Sequence, residues 1–329
     1  MTPRENMTLF YQHKTPEYMP LSEDMQMLPT VGSGLNIMIN EGKWVGEIDE
    51  LDWFGQNWKY EPTVRAYNPD ATNYIVKDVT KWRDYVTLPD VDAVDWKAKF
   101  DATEFKRDEN KLLEIRDSVG VWERAFSMIG TSDLLGGLIL EPEAMADFFS
   151  TITDHKIKLY NYYVDYYKPD VFCMNDDYGH GHGLFMSPDT WRKLIKPNLQ
   201  RIIDNFKAQG VMYEHHCCGY LVPLVEEIAE MGAVSWNSVH FCNNPPDCKE
   251  RFGDIIAFMG GSMNAAFMDA PDTTVDQIRS HVREMTGKML PGAIVMSGGA
   301  PSHPDRSPII YEELVNSGQQ YFKQKRPTA

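Results

Sequence analysis

The chain has 329 residues, with 32 Lys and Arg against 48 Asp and Glu, which gives a net charge of −16. This acidic excess argues against a protein that binds nucleic acid or an anionic membrane surface. No apolar run approaches the roughly 20 residues that span a bilayer, so we expect no membrane segment.

The first residues and the cysteines together predict the cellular compartment of the protein. The first residues, Met1 to Asn6, show no basic-then-apolar signal pattern. The five cysteines form an odd set that includes the adjacent pair Cys217 and Cys218, which is a poor disulfide framework. We therefore expect a reducing, cytoplasmic compartment in which cysteines serve for burial or for metal binding.

The stretch from Met1 to about Arg124 is rich in tryptophan, proline and acidic residues and has little clean periodicity. It predicts an irregular layer, packed on a larger unit, in which the tryptophans chiefly bury apolar area. The tryptophans are Trp44, Trp53, Trp58, Trp82 and Trp96.

Strand-like and helix-like segments alternate from about Phe126 onward. Helical spacing runs from Trp191 to Phe206, where Pro197 should kink the helix. A second helix, Val275 to Met289, follows a capping box. The apolar runs that predict strands are Phe126–Ile129, Val171–Met174, Val211–Tyr213, Ala233–Trp236, Ile255–Met259 and Ala293–Met296.

This alternation indicates parallel strands joined by crossover helices. A closed barrel is favoured over an open sheet, because no glycine-rich phosphate loop follows the first strands. We predict one α/β domain over residues 1–329, a (β/α)8 TIM barrel. Residues 1–124 would form an irregular N-terminal part packed on the barrel, and residues 125–329 the main β/α repeats.

The working residues of such a barrel lie at the carboxyl ends of its strands. Two of the predicted strand ends, Gly260–Asn264 and Ser297–His303, are rich in small residues. Such residues could leave space for a ligand or form tight turns. The other segments are 175–182, 214–219 and 237–242, and each of these contains histidine.

One strand end carries a cluster of possible metal ligands. Because alternate residues of a strand share a face, Glu214, His216 and Cys218 should point one way and His215 and Cys217 the other. A His-x-Cys pair can offer nitrogen and sulfur to zinc, although buried packing residues are the alternative. Glu214 is better suited to orient a ligand or to transfer a proton than to bind the metal.

A second segment combines two adjacent acids with histidines between glycines. Asp176 and Asp177 could acquire separated pKa values in a low-dielectric pocket, which suits proton transfer. His180 and His182 could bind a metal or a substrate, and the intervening glycines allow close approach. The alternative is an exposed loop with helix-capping acids.

Several short motifs are spread over most of the chain. They are Asp52-Trp53-Phe54-Gly55-x-x-Trp58, Trp82-x-x-Tyr85-Val86-x-x-Pro89-Asp90, Asp176-Asp177-x-Gly179, Ser187-Pro188 with Pro197, His216-x-Cys218-Gly219, Gly260-Gly261 and Thr274. Together these motifs resemble the uroporphyrinogen decarboxylase superfamily. The decarboxylases themselves carry an arginine-rich motif that binds substrate carboxylates, but the corresponding stretch Pro20–Asp24 is acidic and lacks arginine. The corrinoid-dependent methyltransferase branch is the better match.

Members of that branch bind zinc through a His-x-Cys pair and a distal cysteine. His216 and Cys218 match the pair, but Ser297-Gly298-Gly299 carries no thiol. The candidates for the third ligand are His303, Asp177 and Glu214. Similarity to the methyltransferases of anaerobic O-demethylation implies that a methyl group moves from a methoxylated aromatic to the cobalt of a separate corrinoid protein.

Such a reaction must stabilise the charge that develops on the ether oxygen. Zinc held by His216 and Cys218 could act as a Lewis acid, or a protonated Asp177, Glu214 or His240 could donate to that oxygen. We expect the substrate contacts to come from Asp176, Tyr178, His180, His182, Asn237 and Met263.

Two other functions are compatible with these residues. One is transfer from a methylcorrinoid to a thiol, against which the missing distal cysteine counts. The other is a non-catalytic protein that binds a corrinoid or tetrapyrrole. The helical surfaces are compatible with a homodimer as well as with a monomer.

Overall fold

The computed structural model describes residues 1–28, 50–61, 66–260, 263–294 and 303–325. The strands of this part are β1 (Met25–Met27), β2 (Glu50–Leu51), β3 (Asn57–Glu61), β4 (Ala66–Pro69), β5 (Leu112–Asp117), β6 (Val171–Asn175), β7 (Gly179–His180), β8 (Gly183–Leu184), β9 (Met212–His216), β10 (Ala233–Asn237), β11 (Ala257–Met259) and β12 (Ala293–Ile294).

The α-helices of the same part are α1 (Pro3–Tyr11), α2 (Trp96–Ala102), α3 (Val121–Ile129), α4 (Thr131–Leu140), α5 (Pro142–Tyr167), α6 (Pro188–Leu194), α7 (Lys196–Ala208), α8 (Val225–Met231), α9 (Pro245–Phe252), α10 (Ala265–Asp269), α11 (Val275–Met289) and α12 (Ser307–Lys325). Short 3-10 helices cover Ser22–Asp24, Val79–Asp84, Val91–Ala93, Val222–Leu224, Phe241–Asn243 and Pro304–Arg306. None of the helices within the described ranges has the length and apolar character needed to span a bilayer.

Seven parallel strands form one curled sheet in the order β1-β5-β6-β9-β10-β11-β12. Neighbours from β5 onward follow each other along the chain, with helices between them, as crossover connections require. The predicted α/β fold of the TIM-barrel type is confirmed, and the count of seven refers to the strands that the structure describes. The extent of the domain over residues 1–329 stays a prediction.

The start of the barrel differs from the sequence prediction in two ways. The apolar run Phe126–Ile129 is not a strand but the second half of α3, whose helical spacing buries Trp122, Ala125 and Met128. Two strands of the barrel sheet, β1 and β5, lie before residue 124, in the stretch that we expected to be irregular. Strand β5 lacks the apolar pattern of a buried strand, because charged side chains occupy part of its buried face.

The later elements follow the sequence prediction where the structure describes them. Strands β6, β9, β10, β11 and β12 each overlap one of the predicted apolar runs, with ends that differ by up to three residues, and the last run continues beyond the described residues. The kink occurs at Ile195, where α6 ends and α7 begins, two residues before Pro197. Helix α11 begins directly after its N-cap residue Thr274, which forms the predicted capping box with Gln277 in the first turn.

The sheet has two apolar cores, one on each face. The larger lies between the sheet and the surrounding helices, and it also contains Trp82 and Trp96 of the N-terminal part. The smaller fills one end of the barrel interior, where Met7 and Phe10 of α1 pack with Val171. Helix α1 therefore occupies the amino-terminal end of the barrel, and the carboxyl ends of the strands form the opposite rim. Trp58 is also buried and Trp53 partly so, while Trp44 lies outside the described residues.

Candidate active site

Strand β9 places its side chains alternately inside and outside the barrel. Parallel pairing aligns His216 with Asn175 and with Asn237, so these three residues form one row near the rim. Glu214 lies one row deeper. On the opposite face, the ring of His215 stacks on Tyr178 with centroids 5.5 Å apart. The alternation predicted from the sequence is confirmed for this strand.

Three potential metal ligands converge at the rim. His216 Nε2 lies 3.3 Å from Cys218 Sγ and 4.0 Å from Asp177 Oδ1, and the three ligand atoms all lie within 4.8 Å of one another. The backbone N–H of Cys218 donates to Asp177 Oδ1 at 2.6 Å. Nitrogen, thiol sulfur and carboxylate oxygen are the donor types of a catalytic zinc site with three protein ligands. The donor set therefore fits zinc.

Of the three candidates for the third ligand, only Asp177 joins the pair. His303 falls outside this group. Glu214 is buried one row below, where its carboxylate accepts hydrogen bonds or ion-pair contacts from the side chains of Tyr11, Arg116, Ser235 and Asn237.

Two glycines hold the loops of this group together. Gly219 has φ +74°, and a Cβ there would lie 2.5 Å from the carbonyl group of Gly179. A Cβ on Gly179 would in turn lie 2.3 Å from the carbonyl oxygen of Tyr220. Only glycine tolerates both contacts, so the loop that carries Asp177 can rest against the loop that carries Cys218.

Burial favours the uncharged forms of the two partners in the His-x-Cys pair. It lowers the pKa of His216 to about 4, against the opposing effect of the Asp177 charge. Burial, followed by the charge of Asp177, raises the pKa of the Cys218 thiol well above its usual range. A bound cation reverses the second effect, because metal binding displaces the thiol proton.

A cavity of about 280 Å³ adjoins the three ligands through Asp177. The rings of Trp122 and Phe185 in its wall are stacked, with centroids 6.5 Å apart. The full lining is Asn68, Trp122, Glu123, Phe126, Thr131, Leu134, Leu135, Asp177, Gly179 and Phe185. A larger cavity of about 490 Å³, between α9 and α11, contains none of the predicted site residues. The smaller cavity is the candidate substrate site, because it shares Asp177 with the ligand group.

Glu123 is a site residue that the sequence analysis missed. Its Oε1 accepts a hydrogen bond from the backbone N–H of Asp177 at 3.2 Å. Burial, and then the charges of Asp177 and Asp176, raise the pKa of Glu123 well above its usual range. The available signal is an acid in the first turn of a helix that follows a barrel strand, but the apolar run at the end of that helix, Phe126–Ile129, predicts a strand instead.

Two of the predicted substrate contacts are buried behind the rim. The Asp176 carboxylate accepts from the backbone N–H groups of Val121 at 3.2 Å and Glu123 at 3.1 Å, so it caps α3. Tyr178 donates to Asp176 at 3.2 Å and packs against Trp191. In the structure both hold the loop in place, and contact with substrate stays a prediction for them.

The other predicted residues surround the rim at different depths. His180 and His182 are exposed on the β7–β8 hairpin, and the ring of His180 lies 5.3 Å from that of Phe185. His240 Nδ1 accepts from the backbone N–H of Gly219 at 3.2 Å, and burial lowers the pKa of His240. Asn237 contacts His216, whereas Met263 is buried. Gly261, Ser262 and residues 295–302 lie outside the described part of the chain.

Comparison with known proteins adds a family and a fold. The model of the family "Uroporphyrinogen decarboxylase (URO-D)" matches residues 50–321. No curated protein matches the chain by sequence. Solved structures do match, among them a methyltransferase from Methanosarcina mazei that is 16% identical, with a TM-score of 0.69 over 98% of this chain and 99% of that chain. At this identity the likeness establishes the fold alone.

Proposed function

The chain belongs to the uroporphyrinogen decarboxylase family, and from that premise we propose that it is a methyltransferase of the corrinoid-dependent kind. It moves a methyl group from a methoxylated aromatic compound to the cobalt of a separate corrinoid protein. The observation that carries the proposal is the double position of Asp177, which lines the aromatic cavity and belongs to the group with His216 and Cys218. Porphyrinogen decarboxylation is disfavoured because the stretch 20–24 is acidic and has no arginine.

The cavity suits a small aromatic methyl donor. Its volume of about 280 Å³ lies just below the range of about 300–1,000 Å³ that is usual for small-molecule sites, which favours a single ring. Trp122 and Phe185 offer faces and edges against which such a ring can stack. Their position beside Asp177 brings the methoxy group of a stacked ring towards the ligand group.

His216 Nε2, Cys218 Sγ and Asp177 Oδ1 would hold the zinc ion. A zinc ion bound by them supplies Lewis acidity towards the ether oxygen as negative charge develops there. The protein residues supply orientation: Asn237 Oδ1 accepts from His216 Nδ1 at 2.7 Å, and the backbone N–H of Cys218 holds the carboxylate of Asp177. Donation to the ether oxygen by an acid is the alternative, and Glu214, buried below the rim, is poorly placed for it.

A direct assay tests the proposal. The purified chain is mixed with cob(I)alamin and a panel of methoxylated aromatics, with 2-methoxyphenol as the first member, and the absorption spectrum of methyl–Co(III) is recorded. We expect the spectrum to appear with at least one donor and to be absent when the donor lacks a methoxy group. Failure with every donor, together with demethylation of methylcobalamin by an added thiol, would replace this function by methylcorrinoid-to-thiol transfer.

A further inference from the structure

We infer that Glu214 is a positioning residue that sets the tautomer of His216 through Asn237. The inference rests on the proposed metal site and deepens it, because it says why His216 presents a lone pair to the metal. The chain of contacts runs from a buried carboxylate, through one amide side chain, to the imidazole ring.

Glu214 is completely buried and is surrounded by donors. Its Oε2 accepts from the hydroxyl of Ser235 at 2.7 Å and from that of Tyr11 at 3.2 Å. Its Oε1 accepts from Asn237 Nδ2 at 3.1 Å and lies 3.5 Å from a guanidinium nitrogen of Arg116. Each of these four groups can donate a hydrogen bond, and the thiol of Cys173 is a further donor to the same carboxylate.

This environment determines which way the amide of Asn237 points. A carboxylate accepts hydrogen bonds and does not donate them, so the NH2 group of Asn237 must face Glu214. The amide oxygen then faces His216 Nδ1, at 2.7 Å. An amide oxygen can only accept, so the proton of a neutral imidazole resides on Nδ1 of His216.

The remaining nitrogen of His216 is then free to bind a metal. Nε2 carries the lone pair, and it lies 3.3 Å from Cys218 Sγ and 4.0 Å from Asp177 Oδ1. Histidine ligands in metal sites commonly donate their second N–H to an oxygen that orients the ring. Here that oxygen is an amide, whose direction depends on Glu214.

Removal of the carboxylate should release this restraint. The amide of Asn237 could then turn over and donate from Nδ2 to His216 Nδ1, which stabilises the tautomer with the proton on Nε2. That tautomer must lose its Nε2 proton before it can bind a metal. Loss of an orienting partner typically lowers metal affinity by about 10- to 100-fold.

The test compares substitutions that remove the link with substitutions that keep it. Glu214→Leu and Asn237→Leu each break the link. Glu214→Gln keeps an acceptor for Asn237, because the hydroxyls of Ser235 and Tyr11 can rotate to accept from the new NH2 group. Ser235→Ala removes a hydrogen bond from the same carboxylate without touching Asn237, and is the matched control.

Two readouts are used, and neither needs turnover. Zn(II) affinity is measured by competition with a chelator of known affinity. The tautomer of His216 is read from ¹⁵N NMR of the zinc-free protein, with the signal assigned by its absence in His216→Gln. We expect Glu214→Leu and Asn237→Leu to lower affinity by about 10- to 100-fold and to populate the Nε2–H tautomer. Glu214→Gln and Ser235→Ala should behave as the wild type.

The outcomes separate this inference from the proposed function. Wild-type affinity and an unchanged Nδ1–H tautomer in either leucine variant would overturn the positioning role. If the wild type binds no zinc but the leucine variants still change the tautomer, the metal site fails and the positioning role stands. Asn237→Leu supplies the answer if Glu214→Leu does not fold, because it leaves the other donors to Glu214 in place.

Discussion

Adjacent histidines on strand β9 have opposite surroundings. The ring of His215 packs on Tyr178, and its Nδ1 lies 3.0 Å from the hydroxyl of Tyr213. Its Nε2 is buried and has no hydrogen-bond partner among the residues that the structure describes. His216 faces the barrel interior, where Asn237 and Cys218 each lie within hydrogen-bonding distance of one ring nitrogen. The same side chain is packing material at one position and a candidate ligand at the next. The face of the strand, rather than the residue type, separates the two roles.

The two faces of the sheet also differ in composition beyond strand β9. On the outer face, Phe172 stacks on Phe206 with centroids 4.4 Å apart, and it packs at a tilt against Tyr160 with centroids 4.6 Å apart. On the inner face, Arg116 lies between Glu114 and Glu214, at 2.8 Å and 3.5 Å. The outer face therefore contributes apolar burial at this level, whereas the inner face holds a polar network between the rim and its own smaller apolar core.

Substitution of each histidine in turn should have the largest effect and tests the difference between the two faces of β9. His216→Ala removes a proposed ligand, so we expect loss of bound zinc and a fall in methyl transfer of at least about 100-fold. His215→Phe should retain both, because it replaces one buried ring by another. Zinc per chain, measured by elemental analysis, and the methyl–Co(III) assay check both variants. Equal activity of His216→Ala and the wild type would contradict the assignment of the inner face.

A second substitution tests the outer face. Phe172→Ala should lower the free energy of unfolding by about 3–5 kcal/mol, because it leaves a cavity in the aromatic core. Zinc affinity of the folded protein should not change. Urea denaturation gives the free energy, and chelator competition gives the affinity.

Phe185→Ala is the matched control for Phe172→Ala, because it also removes an aromatic ring but from a position that is 38% exposed beside the cavity. It should change stability by less than about 1 kcal/mol and weaken binding of 2-methoxyphenol. A large loss of stability in this variant, with unchanged binding of the phenol, would contradict its assignment to the donor site.

The smallest expected effect is the pH dependence of the free energy of unfolding that arises from Glu114 on the inner face. Burial raises the pKa of Glu114 to about 7, and the charge of Glu214 adds to the shift against the effect of Arg116. The folded protein then holds this proton more tightly than the unfolded chain, so stability should fall as pH rises from about 4.5 to about 7. The charged or titratable groups around Glu114 are Arg116, Cys173, Glu214 and Tyr11.

Glu114→Gln removes this titration. Between pH 5 and pH 7, the wild type should lose on the order of 1–3 kcal/mol more stability than the variant. Urea denaturation at the two pH values measures the difference. A wild type that gains stability relative to Glu114→Gln over this interval would show that the carboxylate is charged in the folded protein throughout.

Local periodicity was sufficient for much of this molecule. The two-residue period of β9 separated Glu214 and His216 from His215, and the capping signals and Pro197 predicted α11 and the break before α7. These features depend on contacts between residues close in sequence, so the sequence alone determines them. The same reasoning failed for Phe126–Ile129, because a short apolar run fits a strand and a buried helix face equally well.

Only the tertiary structure decided which groups meet. Asp177 joins His216 and Cys218 because neighbouring parallel strands end side by side and two glycines let their loops touch. Strand β5 was not predicted because Glu114 and Arg116 occupy inward-facing positions where an alternating pattern would have apolar residues. These two side chains can be buried there because they form an ion pair. Distant side chains acquire a shared function when the backbone brings them within a few ångströms, and that distance depends on the packing of the entire barrel.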